Sequence, residues 1–261
     1  MAVFPHRLTE DLDAESADLR RLVAPLDETG WRLPTPAAGW SVLDQLTHLA
    51  HYDEAAVMAA CHPERFAAEA ARQPQPTPDD IAARHRSLSG ADALDWYDRA
   101  RRRLIEVFAE LDPRARLPWY GPPMSAATCL TARIMETWAH GQDVADALGV
   151  TREPTARLRH IAHLGVGTRE FSYTVNGVEP PGTPVRVGLS APDGQVWTWG
   201  PPEAACRVEG SAQDFCLVVT RRRTPERTRL LTLGDEAGRW LRFAQVFAGP
   251  PSAASPSGRR G

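Results

Sequence analysis

ARIMETWAHGQDVADALG, residues 132–149, is the second half of a helix that the apolar spacing predicts from Ala126 to Leu148, closed by Gly149. Glu136 and His140 are the densest polar anomaly on this otherwise apolar segment. A spacing of four puts both side chains on one face, one turn apart. A helix with such a pair needs partners, and the residues upstream supply them. Leu8, Leu12, Leu19, Leu22, Val23 and Leu26 recur mostly at intervals of three, four and seven, the mark of an amphipathic helix. After the loop ETGWRLPTPAAGW, Ser41 is placed to cap a second helix ahead of Asp44, with Val42, Leu46, Leu49 and Ala50 as its buried stripe running to about Cys61.

The prolines of QPQPTPDD (73–80) break the pattern, which resumes over 80–111 as one long helix or two short ones. DPRARLPWYGPPMS (112–125) is a long, stiff connection into the Ala126 helix. Four amphipathic helices with a long crossover make a bundle, whose sites form from side chains projecting inward. His48 and His51, in THLAHYDE, lie on the second helix, and His48 falls on its apolar side. If the second and fourth helices face each other, His48, Glu136 and His140 converge as a His, Glu, His set. That set suits a divalent metal with positions left open. Spacing alone equally allows a surface Glu/His pair and a satisfied core histidine. His51 is either a support to such a site or exposed. Asp143 either receives the second N–H of His140, fixing its tautomer, or is a solvated carboxylate. Arg133 could pair with Glu136 or meet an anionic substrate, although among 30 arginines a surface role is the default. Trp40 and Trp138 read as packing.

A fifth helix is expected from Thr155 to about Val175, after which the period becomes two. PVRVGLSA (184–191) and QVWTWG (195–200), joined through Pro192, Asp193 and Gly194, form a hairpin. CRVEG (206–210) and TRLLTLG (228–234) read as further strands, with helices at 211–221, capped by Ser211, and at 235–248. Trp197 and Trp199 share one strand face and read as core. The expectation is an α+β protein: a helical bundle over 1–152, a linking helix and smaller α/β domain over 153–249, and a disordered tail over 250–261.

Composition narrows the chemistry. Of the 261 residues 43% are hydrophobic and 24% charged, enough apolar mass for one large or two small domains. The formal charge of −3 gives no reason to expect nucleic acid or an anionic membrane. Every one of the 30 cations is arginine, which excludes Schiff-base, P-loop and general-base lysines. Cys61, Cys129, Cys206 and Cys216 form no CxxC pair, and no signal-peptide core or membrane-spanning run is present, so a reduced cytoplasmic setting is expected. GxGxxG, GxSxG and HExxH are absent. Cys61 beside His62 reads as a packed cysteine, and Arg221 to Arg223 as the end of a helix.

The runs GWSVLDQLTHLAHYDEAA (39–56), ARIMETWAHGQDVADALG (132–149), APDGQVWTWGPPEA (191–204) and GSAQDFCLVVTRR (210–222) resemble the DinB-like metal-binding proteins related to mycothiol-dependent maleylpyruvate isomerase. The resemblance runs from about residue 8 to 249. It implies a DinB-type four-helix bundle followed by a smaller α/β domain, with a divalent metal, usually zinc, held at the positions of His48, Glu136 and His140. It also implies mycothiol as thiol cosubstrate and a small electrophile as substrate, with Arg133 a candidate hand on the cofactor. The expected chemistry is metal-activated thiol attack, for isomerisation or S-transfer; no catalytic residue beyond the ligands is nominated. A non-catalytic metal-binding regulator and a metal-dependent hydrolase are the alternatives. A homodimer is compatible with the sequence but not demanded by it.

Overall fold

The computed structural model describes residues 5–72 and 75–247, and the tail expected over 250–261 lies outside them. The chain divides between Arg152 and Glu153 into two compact units. The first holds α1 (Pro5–Val23), α2 (Glu28–Trp31), α3 (Val42–Cys61), α4 (Pro63–Ala70), α5 (Pro78–His85), α6 (Gly90–Ala109) and α7 (Ala126–Leu148). Local chemistry sets the ends. Ser41 Oγ accepts from the Asp44 amide while Asp44 Oδ2 accepts from the Ser41 amide at 2.8 Å, a reciprocal cap that starts α3. Gly149, at φ 66°, ends α7 in a left-handed turn.

The structure selects one of the two readings of 80–111 and differs from the sequence reading over 112–125. Residues 80–111 are two helices, because Ser89 caps α6 and Gly90 lies directly on Trp31, where a β-carbon would come within 2.1 Å of the indole. The 112–125 connection is a hairpin, in which β1 (Arg116–Leu117) pairs antiparallel with β2 (Met124–Ser125) and Trp119 and Tyr120 lie in the loop over 118–123.

α3 packs on α6 and α7, and α1 packs on the same two, so α1 and α3 are diagonal in a four-helix bundle. Its core has two apolar halves. Leu19, Leu46, Leu49, Tyr97 and Val144 belong to one; Leu8, Leu12, Leu104, Phe108 and Ile134 belong to the other. Between them along the helices lies a buried polar layer centred on Asp53, which is 0% exposed. Arg101 Nε donates to Asp53 Oδ2 at 2.7 Å and Arg133 Nε to Asp53 Oδ1 at 2.9 Å. Arg101 also reaches Thr137 Oγ1 at 3.0 Å and Ser16 Oγ, so the layer joins all four long helices.

The second unit holds α8 (Leu158–Gly167), α9 (Arg169–Val175), β3 (Val185–Ser190), β4 (Val196–Trp199), β5 (Cys206–Ser211), α10 (Ala212–Val219), β6 (Leu231–Leu233) and α11 (Asp235–Phe243). The sheet order is β4-β3-β5-β6, with β3 antiparallel to β4, β3 parallel to β5, and β5 antiparallel to β6. The α+β class and the hairpin are as the period change indicates. The single helix expected at 155–175 is broken at Thr168, whose hydroxyl donates to Leu164 O at 2.9 Å. The last helix stops at Phe243, since Ala244 turns extended and the Val246 amide bonds to Val219 O. Trp197 is buried, whereas Trp199 is half-buried and donates its indole N–H to His163 Nδ1 at 3.3 Å. Among the described residues no helix is long and apolar enough to cross a membrane.

Removing one partner from a buried ion pair leaves an uncompensated charge, at a cost of about 3–5 kcal/mol. Asp53→Ala is therefore expected to lose that much in urea unfolding, whereas Asp98→Ala, which removes the half-buried partner of the exposed Arg20, loses under about 1 kcal/mol.

Candidate metal centre

The packing of α3 on α7 brings His48 to Glu136 and His140. One ligand atom from each side chain lies within 4.8 Å of the others, and among the described residues no other His, Cys, Asp and Glu side chains form such a group. Glu136 Oε2 is 3.1 Å from His140 Nε2 and 3.9 Å from His48 Nε2. The two imidazole centroids are 4.5 Å apart. Trp40 stacks on His140 at 5.9 Å and tilts against His48 at 5.1 Å, and its indole N–H is fixed by Asp79 at 2.7 Å. Trp40 is packing, as its sequence context indicates, but what it packs against is the site.

A chain of hydrogen bonds orients His140. Thr35 Oγ1 donates to Trp40 O at 2.9 Å, so it accepts from Gln45 Nε2 at 2.8 Å. The Gln45 carbonyl oxygen then faces His140 Nδ1 and accepts its proton. Nε2, on the opposite side of the ring, faces the Glu136 carboxylate at 3.1 Å. Asp143 does not take this role: its Oδ2 is 3.9 Å from Nδ1, and it is buried rather than solvated. Sequence reasoning passed over Gln45, although it lies three residues before His48 and so shares its helix face.

Burial, with His140 and Arg133 close by, lowers the His48 pKa from 6.5 to about 4, so the ring is neutral at neutral pH. Burial would raise the Glu136 carboxyl, but hydrogen bonds from His140 and His48 outweigh it and hold the group well below the carboxylate range. His48 Nδ1 is buried without a hydrogen-bond partner. Two imidazoles and one carboxylate, with one nitrogen unsatisfied and another aimed at the carboxylate, have the chemistry of a candidate divalent-metal site.

The other candidates fall elsewhere. Arg133 is not on the surface and does not pair with Glu136; it is 4% exposed and bound to Asp53, with Nη2 3.5 Å from Leu49 O. His51 is half-buried, edge-on to Tyr52 at 5.2 Å, and stands outside the triad. Trp138 packs under the Arg152 guanidinium. Cys61 is exposed rather than packed, while Cys129, Cys206 and Cys216 are buried thiols.

The family model described as the mycothiol maleylpyruvate isomerase N-terminal domain matches residues 12–145, which spans the bundle and every member of the triad. The chain belongs to that family. A second model, described as wyosine base formation, matches residues 181–233 in the sheet-bearing unit. An uncharacterized protein of Mycobacterium tuberculosis, found in strains H37Rv and CDC 1551, is 48% identical over 250 residues, covering 95% of this chain and 97% of the relative. The crystal structure of a mycothiol-dependent maleylpyruvate isomerase superposes with a TM-score of 0.61 at 14% identity, covering 88% of this chain and 93% of that one. A histidine-to-alanine mutant of the enzyme gives 0.59 at 16% identity with the same coverage. These two establish a shared fold.

The pKa directions fix a pH dependence. His48 has a folded value below its unfolded 6.5, so as pH falls the unfolded chain binds the proton first. Stability of the metal-free protein is thus insensitive to this group above about pH 6.5 and is lost as pH falls toward 4. Glu136 acts in the same direction lower down, its contribution being present above 4.5 and lost as pH falls through its folded value. Urea unfolding in chelator should show a loss on the order of 2 kcal/mol between pH 6.5 and 5. His48→Gln should flatten that slope.

Proposed function

We propose that the protein is an enzyme that uses a low-molecular-weight thiol, mycothiol by family, on a small electrophilic substrate, and that His48, Glu136 and His140 hold a divalent metal, zinc by preference of the donor set. The observation that carries the reading is the Glu136 carboxylate 3.1 Å from a His140 nitrogen whose proton Gln45 draws to the other side of the ring. In the tautomer that Gln45 selects, a metal ion would take the place of a proton between that nitrogen and the carboxylate. When bound, such a metal supplies a Lewis-acidic position at which a thiol loses its proton near neutral pH.

The chain's own residues prepare that position. His48 is kept neutral, so its lone pair is available; Glu136 is kept ionised, which offsets part of the metal's charge. Gln45 fixes the His140 ring, and Trp40 shields both imidazoles from water. Arg133 enters as a positioning residue, since its guanidinium is committed to Asp53 rather than offered to a cofactor. Isomerisation is the favoured outcome. The thiol S–H adds across a double bond conjugated to a carbonyl, the new single bond rotates, and the same thiol leaves with the double bond restored in the other geometry. If the thiol stays attached, the result is S-transfer. The cytoplasm, where such thiols are kept reduced, is the fitting compartment.

Metal analysis of wild type and of His48→Ala, Glu136→Ala and His140→Ala, combined with a mass-spectrometric screen of electrophiles with and without thiol and metal, tests the reading. The expected result is about one metal per wild-type chain, loss in each variant, and product formation only with thiol and metal together. Full metal retention in all three variants would overturn the site. Turnover of esters or amides without thiol would instead favour a hydrolase.

A further inference from the structure

Beyond the triad, the wall next to His48 is aromatic. The Tyr52 ring lies 4.7 Å from the His48 ring and in turn meets Trp119 at 6.4 Å and Tyr120 edge-on at 6.1 Å. Trp119 and Tyr120 come from the hairpin between α6 and α7, and both are seated on Phe66. Trp119 stacks on it at 5.6 Å, and Tyr120 meets it at 5.1 Å and 62°. Phe66 is fully buried, which makes the platform rigid from below. Tyr120 nevertheless leaves 46% of its surface exposed, so rings anchored from beneath present an open apolar shelf that leads to the metal ligands.

The charges nearby do not favour an anion on this shelf. Arg133 is the arginine whose charge is felt at both His48 and Tyr52, and it is buried and held by Asp53 at 2.9 Å. Away from the metal position itself, a carboxylated substrate would meet ring faces rather than a cation on the Tyr52, Trp119 and Tyr120 shelf.

We infer that the substrate carries a planar, uncharged aryl or extended conjugated group that seats on Tyr52, Trp119 and Tyr120, with its electrophilic carbon directed to the His48 end. This rests on the thiol-enzyme reading for the reaction, while the shelf itself rests on geometry alone. Offset and edge-on ring contacts reward a flat π-system beyond its buried area, and the hairpin rings are the specificity element.

A matched pair of enones tests it: benzylideneacetone, which carries a phenyl group, and β-acetylacrylate, which has a carboxylate in its place. Equilibrium binding to metal-loaded protein is followed by tryptophan fluorescence, and mycothiol-dependent conversion by steady-state kinetics. Benzylideneacetone should be preferred by about tenfold or more in kcat/KM. Tyr120→Ala should weaken its binding and raise its KM about tenfold with kcat held, Tyr120→Phe should restore both, and neither variant should alter β-acetylacrylate. Preference for β-acetylacrylate, or an unchanged benzylideneacetone affinity in Tyr120→Ala, would overturn the inference. Ring-dependent binding without any thiol-dependent conversion would leave the shelf standing and count against the thiol-enzyme reading instead.

Discussion

The carboxylate of Asp53, removed from solvent and held by Arg101 and Arg133, is the point on which the bundle and its site both turn. Its partners come from α6 and α7, and through Arg101 the hydrogen bonds extend to Ser16 on α1 and Thr137 on α7. Two buried guanidinium groups against one carboxylate leave an excess positive charge in the layer, and the ionised Glu136, one turn along α7 from Arg133, offsets it. Ion pairs at this depth are weak sources of net stability, but they penalise every misaligned arrangement severely. The same layer thus specifies how the helices register.

That register makes the candidate metal ligands meet. Asp53 pairs with Arg133, and α3 and α7 run antiparallel from there. Five residues back along α3 is His48; three and seven residues forward along α7 are Glu136 and His140. At about 1.5 Å rise per residue these steps cover similar lengths, so a one-turn slip at Asp53 would carry His48 past its partners. Gln45, further back on α3, reaches His140 by the same logic and sets its tautomer. The site belongs entirely to the first unit, and the described ligands take nothing from the sheet-bearing one.

Much of this was legible from the residues. The Glu136/His140 spacing, the Ser41 cap, the left-handed stop at Gly149 and the hairpin around Gly194 are local signals, and local chemistry enforces them. The polar layer was not legible, because Asp53 and Arg101 interrupt helix faces as solvated residues do, and one period cannot tell a buried partner from water. Arg133 was hidden for a further reason: in a chain whose every cation is arginine, none stands out. The break between α5 and α6 depends on Trp31 arriving against Gly90 from far along the chain, and the helical period runs across it undisturbed. Tyr52, Trp119 and Tyr120 lie on different elements, so their convergence appears only once the hairpin folds onto Phe66.

X-ray absorption at the zinc edge tests the central claim most directly, with the protein loaded with one equivalent of zinc and then titrated with mycothiol. The account predicts two imidazole scattering patterns and a light-atom ligand in the loaded protein, with a single sulfur joining them when the thiol is added. A sulfur-rich shell before any thiol is present would contradict it by assigning the metal to cysteines, and so would a shell without histidine scattering.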